Sequence, residues 1–328
     1  MISDNMKVSV SAIIAVYNPN LLFLEKAVLS VLNQTYSVLE LILVNDGGDE
    51  AFISMLPNDP RIKVFSKQNE GVAATRNYAI KQCAGEYLAF LDQDDYWYPE
   101  KLQEQLAMIP VSGEACMVAS SVDLIDHNSM SLSKYAPSTI ATYSKKTRNN
   151  NTLLWLAEGN FIYSSTPLIH YSVFEKAGFF DPWTQPHDDW DMYLRIMIAG
   201  FPVYFYQKKT LSVWRQHEYN ESSNGDTMIC SKCRVEKKLI HAVLDEEIRQ
   251  VAATNLLIDY LERDNLLYER RQYKRFLILI KHHLPQLLFR KNCINKKSGT
   301  EVQKALSKRT RRMVRRSAKR YFAAILLQ

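Results

Sequence analysis

The chain has 328 residues, 47% of them apolar and 23% charged, with a net charge of +6. That is the composition of an ordinary globular protein, long enough for one large domain or a domain with an appendage, and it excludes a low-complexity chain. Five cysteines, an odd number at irregular spacing, imply no disulfide framework and fit a reducing cytoplasm. Met1-Ile2-Ser3-Asp4-Asn5 lacks the basic and apolar regions of a signal peptide, so none is expected. The longest apolar runs, 276–280 and 321–327, are too short to span a bilayer.

Strand and helix patterns then alternate. Val8 to Val16 is strand-like and ends at Tyr17-Asn18-Pro19-Asn20; Leu21 to Leu32 carries apolar residues at helical spacing. Glu40 to Val44 is a short apolar strand that stops at Asn45-Asp46-Gly47-Gly48-Asp49, where the glycines allow a tight turn. Ile62 to Phe65 is the next strand, Val72 to Gln82 a helix, and Tyr87 to Leu91 a buried strand. Tyr96-Trp97-Tyr98-Pro99 is expected to open a helix reaching Ile109, with Cys116 to Ser121 a strand after it. Lys134 to Asn151 reads as a flexible lid or acceptor-binding loop. Phe174 to Asp181 reads as a helix closed at Gly178, and Thr210 to Val213 as a strand. This alternation predicts an α/β fold: a Rossmann-like, mostly parallel sheet with helices on both faces.

From Cys230 the alternation stops. Helical spacing runs through Val235 to Leu261, Leu266 to Leu288 and Val302 to Leu327. Charge changes there too: the chain through Ile229 carries a net −9, and the remainder a net +15. The expected division is therefore a catalytic domain over 1–222 and a helical basic region over 223–328, the latter facing something anionic.

The chemistry-bearing stretch is Gly85 to Asp95. Its strand stops at Asp92, Asp94 and Asp95. Carboxylates just past the end of a parallel strand lie where open α/β sheets bind ligands. Asp-x-Asp places two hard oxygen donors on one side of a turn, which suits Mg²⁺ or Mn²⁺ shared with phosphates. A solvated acidic turn is the other reading of so short a motif. Asp46 also follows a strand, which puts it on the same sheet edge. No G-x-G-x-x-G, no P-loop and no serine nucleophile elbow is found, so a dinucleotide oxidoreductase, a P-loop ATPase and that type of hydrolase are not supported.

Together the motifs resemble a known family. Ser11 to Asn18, Val28 to Tyr36, Leu43 to Gly47, Asn69 to Asn77 and Phe90 to Trp97 are similar, in order, to the N-terminal half of family 2 glycosyltransferases of the bacterial polysaccharide type. The resemblance implies a GT-A fold, a nucleotide-sugar donor and Mn²⁺ or Mg²⁺ on its diphosphate. It gives Asp46 the base-reading role, Tyr17 and Asn18 the rim of the nucleotide pocket, and Arg76 a place beside the nucleotide. Asp92 and Asp94 match the Asp-x-Asp pair, with Asp92 also facing the donor. Ala15 and Gly48 depart from the usual Pro and Ser.

The second half adds Gly159 to Thr166, similar to the family's acceptor-side segment, from which Ser165 is a candidate for sugar hydroxyls; a polar edge strand is the alternative. His187-Asp188-Asp189-Trp190-Asp191 reads as a helix start rich in acid, which the helix dipole alone would favour. In the resemblance Asp189 aligns with the catalytic base of an inverting transfer, Asp188 replaces the usual Glu, and both Asp188 and Asp191 lie on the acceptor side. Trp214-Arg215-Gln216-His217 resembles a late segment that gives His217 to the metal shell or the diphosphate and Arg215 to phosphate; a surface histidine on a loop is the other reading. Cys230-Ser231-Lys232-Cys233 could join Cys293 and His282-His283 in a zinc site only on paper.

The expected partners are a UDP- or dTDP-sugar and a glycan acceptor, lipid-linked, for building cell-surface polysaccharide. The basic C-terminal helix is read as lying on an anionic membrane, so the protein is expected on the inner face of the cell membrane, with no nucleic acid partner. A solvated basic face and nucleic-acid binding are the other readings of that helix. A catalytically silent GT-A module would show damaged carboxylates. A nucleotidyltransferase would show a Gly-rich basic loop after the first strand.

Overall fold

The computed structural model describes residues 8–132, 152–269, 279–280, 283, 312–313 and 315–320. The loop expected over Lys134 to Asn151, Cys293, and most of the two helical stretches after Leu266 lie outside these residues.

The first strand, β1 (Val10–Val16), is almost wholly buried, as a run of β-branched and small apolar residues requires. Asn20 then caps helix α1 (Leu21–Leu32), accepting from the N–H groups of Leu22 and Phe23. α1 buries Leu24, Ala27, Val28, Val31 and Leu32 on one face. Strand β2 (Glu40–Asn45), strand β3 (Ile62–Ser66), helix α2 (Val72–Gln82) and strand β4 (Tyr87–Asp92) follow within a residue or two of the sequence expectation.

Two aromatic residues overturn the next expectation. Tyr96–Trp97 forms a short strand, β5, and helix α3 starts only at Lys101, running to Leu106. The cause is pairing from later in the chain. Trp97 and Tyr96 lie opposite Ser212 and Val213, and Tyr98 N–H bonds to Leu211 O at 3.0 Å. Strand β6 (Met117–Ser120) follows, then β7 (Val122–Asp126), which the sequence pattern did not separate from it.

Helix α4 (Thr152–Glu158), strand β8 (Leu168–His170) and helix α5 (Ser172–Ala177) come next. Helix α6 (Asp188–Ile198), strand β9 (Val203–Tyr206) and strand β10 (Ser212–Gln216) complete the α/β part. The main sheet has seven strands in the order β3-β2-β1-β4-β8-β6-β9, with β5-β10-β7 a separate three-stranded sheet. β1, β2, β3 and β4 are mutually parallel, whereas β8 runs antiparallel between β4 and β6. β1 leads to β2 and β3 on one side and has β4 on the other. The chain therefore changes direction across the sheet beside β1, the place where open α/β sheets hold ligands. This is a GT-A architecture.

Among the described residues the chain divides into two compact units: 8–132 with 161–220, and 152–160 with the residues from 221 on. In the second unit the expected single helix over Val235 to Leu261 is two, α7 (Gly225–Ala242) and α8 (Glu246–Glu269). Val243 turns extended at the end of α7, and Asp245 caps α8 by accepting from Ile248 N–H at 3.1 Å. α4 belongs here as well, for Asn255 of α8 donates to the carbonyls of Ala157 and Glu158. Among the described residues no helix is long and apolar enough to cross a membrane.

Candidate active site

The ends of β1, β2 and β4 bring Tyr17, Asn18, Asp46 and Asp92 to one sheet edge. The register fixes this: Val16 is paired with Asn45, and Ala15 with Asp92. Asp46 N–H bonds back to Val16 O at 2.8 Å, so Asp46 and Tyr17 leave adjacent strands side by side.

Asp46 is buried and well supplied with donors. Its Oδ1 accepts from Lys67 Nζ at 2.8 Å and Glu70 N–H at 3.0 Å; Oδ2 accepts from Gly71 N–H at 2.9 Å. One carboxylate can take about four donors, so a place remains for an N–H of a nucleobase. Lys67 was not singled out from the sequence, because a lysine after a strand carries no signal of its own.

Asn18 adopts a left-handed backbone (φ 42°), and its Oδ1 accepts from Asp49 N–H at 3.1 Å. Gly48 explains itself against this loop. A Cβ there would stand 2.8 Å from both Asn18 N and Oδ1. The departure from Ser thus follows from how closely the two turns approach.

Arg76 lies on the buried face of α2 and bridges two of the acids. Its Nη2 is 2.7 Å from Asp92 Oδ1 and its Nη1 2.9 Å from Asp188 Oδ2. Burial works against its charge, but Asp92, Asp188 and Asp189 hold the guanidinium more firmly protonated than usual. Arg76 therefore joins the strand-end acids to the helix-start acids, a connection that neither motif reveals alone.

The trio Asp92, Asp94 and His217 expected to hold a cation is not assembled as a trio. Asp92 is occupied by Arg76 on Oδ1 and by the Ser164 hydroxyl on Oδ2. Asp94 Oδ2 lies 2.7 Å from His217 Nε2 and 3.3 Å from Asn220 Nδ2. Burial and the neighbouring Asp92 charge push the Asp94 carboxyl up, and His217 opposes them. Among the described residues no group of three His, Cys, Asp or Glu is placed to hold a metal. The donor set here is Asp94 and His217. That fits a hard cation keeping several waters and taking substrate phosphate oxygens, and it does not fit a site closed by protein ligands.

Three expected site residues have scaffold contacts instead. Ser165 is fully buried: its hydroxyl donates to Asp95 Oδ2 and accepts from Asp92 N–H at 3.1 Å, and its carbonyl accepts from Trp97 Nε1 at 2.8 Å. It sits on a turn under the acids, not on an edge strand facing acceptor. Asp191 accepts from Arg195 Nε at 2.8 Å, and Arg195 reaches on to the carbonyls of Ala177 and Phe179 at the end of α5. Asp191 thereby ties α6 to the end of α5. Arg215 is 1% exposed, donates to Asp94 O, Asp126 O and Ser129 Oγ, and stacks 4.1 Å from the Phe23 ring centroid, so it is not presented to phosphate.

Asp188, Asp189 and Asp191 occupy the first turn of α6, with His187 at the N-cap. Burial, then the charge of Asp188, pushes the Asp189 carboxyl up to about 7, against the pull of Arg76. A carboxylate near neutrality is suited to take a proton at physiological pH.

The zinc reading finds no support among the described residues. Cys230 and Cys233 share α7, one exposed and the other buried, with burial raising the Cys233 thiol to about 12.

The model of the family described as glycosyl transferase family 2 matches residues 11–177, just over half of the chain. The chain belongs to glycosyl transferase family 2. An uncharacterized glycosyltransferase of Rickettsia typhi is 34% identical over 197 residues, covering 58% of this chain and 60% of that protein. Escherichia coli WfgD, named a UDP-Glc:alpha-D-GlcNAc-diphosphoundecaprenol beta-1,3-glucosyltransferase, is 35% identical over 123 residues, 37% of this chain and 48% of WfgD. The chain spans between 28% and 60% of the first of these curated relatives. S. aureus TarS, solved with UDP-GlcNAc, superposes with a TM-score of 0.63 at 15% identity over 95% of this chain and 92% of that one. At that identity the match speaks for the fold.

Proposed function

We propose that the protein is an inverting glycosyltransferase that moves a hexose from a UDP- or dTDP-sugar to a hydroxyl of a lipid-linked glycan in cell-surface polysaccharide synthesis. The observation that carries this is the Arg76 bridge between Asp92 and Asp188. It brings the donor-side sheet edge and the helix that carries Asp189 within one side chain of each other. WfgD's named acceptor, a sugar on diphosphoundecaprenol, supports the lipid-linked class, and TarS's bound UDP-GlcNAc supports a uridine donor.

In this reading Asp46 accepts the imide N–H of the base, with Tyr17 and Asn18 at the rim. The acceptor oxygen attacks the sugar C1 as its proton passes to an Asp189 oxygen. The C1–O bond to the nucleoside diphosphate breaks on the opposite face, inverting the configuration. Asp94 and His217 would hold Mn²⁺ or Mg²⁺, which offsets charge on the leaving diphosphate. Asp188, fixed by Arg76, keeps the start of α6 in place.

The protein would work at the inner face of the membrane. Arg312, Arg315 and Lys319 are exposed in the described part of the basic tail, whereas Met313 and Ser317 face inward. Charge-reversing the three basic residues should release the protein from anionic vesicles; unchanged binding refutes the membrane contact.

The decisive test is release of nucleoside diphosphate from a donor panel with a lipid-linked acceptor, with Mn²⁺, Mg²⁺ or EDTA. Turnover with a uridine or thymidine donor that EDTA abolishes is expected. Failure to bind any donor overturns the enzyme reading, and full turnover in EDTA overturns the cation.

A further inference from the structure

Gln93, the middle residue of the Asp-x-Asp, is commonly no more than a spacer between two acids. Here its side-chain amide has two partners on one residue. Gln93 Oε1 accepts from Tyr17 N–H at 2.9 Å, and Gln93 Nε2 donates to Tyr17 O at 3.1 Å. The ladder between β1 and β4 explains why. Its last pair is Ala15 with Asp92, after which β4 turns away and leaves the end of β1 without a strand on that side. The Gln93 amide, a donor and an acceptor in one plane, takes the place of the missing backbone. The turn that follows β2, on the other side of β1, is closed by a side-chain amide of its own. Asn45, at the end of β2, donates to Gly48 O at 2.9 Å and accepts from Gly48 N–H at 3.0 Å. Gly48 in turn packs against Asn18.

The segment Tyr17-Asn18 is thus held by the Gln93 amide on one side, and on the other it packs against Gly48 and accepts from Asp49 N–H through Asn18 Oδ1. The Tyr17 side chain is left half exposed, at the strand end next to the one that leads into Asp46. We propose that Gln93 is a positioning residue for nucleobase recognition, setting Tyr17 as a wall of the base pocket and tying that wall to the acid loop. The inference rests on the reading of this edge as the donor site. It adds that the residue between the two acids governs affinity at the base and not only at the diphosphate. Alanine offers neither hydrogen bond. Glutamate keeps the acceptor for Tyr17 N–H but turns a carboxylate oxygen toward Tyr17 O.

The test uses the full chain, with Gln93→Ala and Gln93→Glu beside the wild type. Hydrogen exchange at the Tyr17 amide is read first, and the affinities for uridine and UDP next. Loss of a pair of hydrogen bonds should speed Tyr17 exchange and weaken uridine and UDP by the same factor, about tenfold, in Gln93→Ala. Gln93→Glu should fall at least as far, and the thermal midpoints should stay within a few degrees of wild type. Wild-type affinity for uridine in both variants overturns the inference. So does a loss on UDP that uridine does not share, because the effect would then act at the diphosphate. A wild type that binds neither uridine nor UDP overturns the donor reading and the inference together.

Discussion

Two short acidic runs, Asp92-Gln93-Asp94-Asp95 and Asp188-Asp189-Trp190-Asp191, divide their carboxylates in parallel ways. In each, one acid is tied to the scaffold: Asp95 by Ser165 and the Arg215 N–H, Asp191 by Arg195. In each, one acid lies on Arg76, namely Asp92 and Asp188. The third acids differ. Asp94 is also pushed up by burial and by Asp92, but it meets the imidazole of His217, a partner that opposes the rise. Asp189 has the charge of Asp188 beside it, and its carboxyl rises to about 7. An acidic run therefore does not assign its own roles. The partner that each carboxylate meets from a distant element does, and in the proposed reaction it would separate Asp94, the acid for a cation, from Asp189, the acid that takes the proton.

The sharpest way to break this comparison is at Asp189. Asp189→Asn should lower kcat by about 10²- to 10⁴-fold, as loss of a general base does. Its pH profile supplies an independent check. A carboxyl with its pKa raised to about 7 is ionised above that pH and protonated below it. The protonated form cannot accept the acceptor's proton, so kcat/KM should level off above pH 7. Below it, kcat/KM should fall by about tenfold per unit. A profile flat down to pH 5 would remove Asp189 from the role.

Arg76 is bonded to both runs, so its loss should damage both. Asp188 is 1% exposed, and Arg76→Ala leaves it as a buried charge without its guanidinium. The expected cost is about 3–5 kcal/mol of folding stability, read by denaturant unfolding. Arg76→Lys should recover only part, because an ammonium cannot span Asp92 and Asp188 as the planar fork does. At the other run, His217→Gln should raise the Mn²⁺ concentration needed for half-maximal turnover by about 10- to 100-fold. Equal turnover at every Mn²⁺ level would separate His217 from the cation.

Much of the first half was legible in the chain because its signals are local. The boundaries of α1 and α2 follow from apolar spacing over Leu21–Leu32 and Val72–Gln82, with Asn20 and Gly71 at their starts. Asp46, Asp92 and Asp94 could be placed on one edge because each follows a strand. What was not legible depends on residues far apart in sequence. Tyr96 and Trp97 look like a helix entrance until Ser212 and Val213 pair with them. β8 is three residues long and antiparallel in a largely parallel sheet, too short to show a period. Ser165 looked like an acceptor-side hydroxyl because a short serine-rich turn is polar in sequence, whether it faces water or buried acids. Asp191 reads in sequence only as an acid beside Asp189, and its tie to Arg195, a turn later, shows only in the fold.

Ser165 gives the smallest effect and the finest test of the comparison. Its hydroxyl hydrogen bonds Asp95 and the backbone of Asp92, so Ser165→Ala leaves a buried carboxylate one donor short. Asp95 still accepts from the Arg215 N–H at 2.9 Å, and burial already pushes its carboxyl well up, so part of the loss can be met by protonation. The cost should be about 1–3 kcal/mol, seen as a lower thermal midpoint. The two roles considered for this serine separate cleanly in that variant. A scaffold serine lowers stability and leaves the KM for acceptor near wild type. A serine on the acceptor side raises that KM and leaves the midpoint where it was. The second result would place Ser165 among the groups that touch sugar, and it would break the parallel in which Asp95, like Asp191, serves the frame.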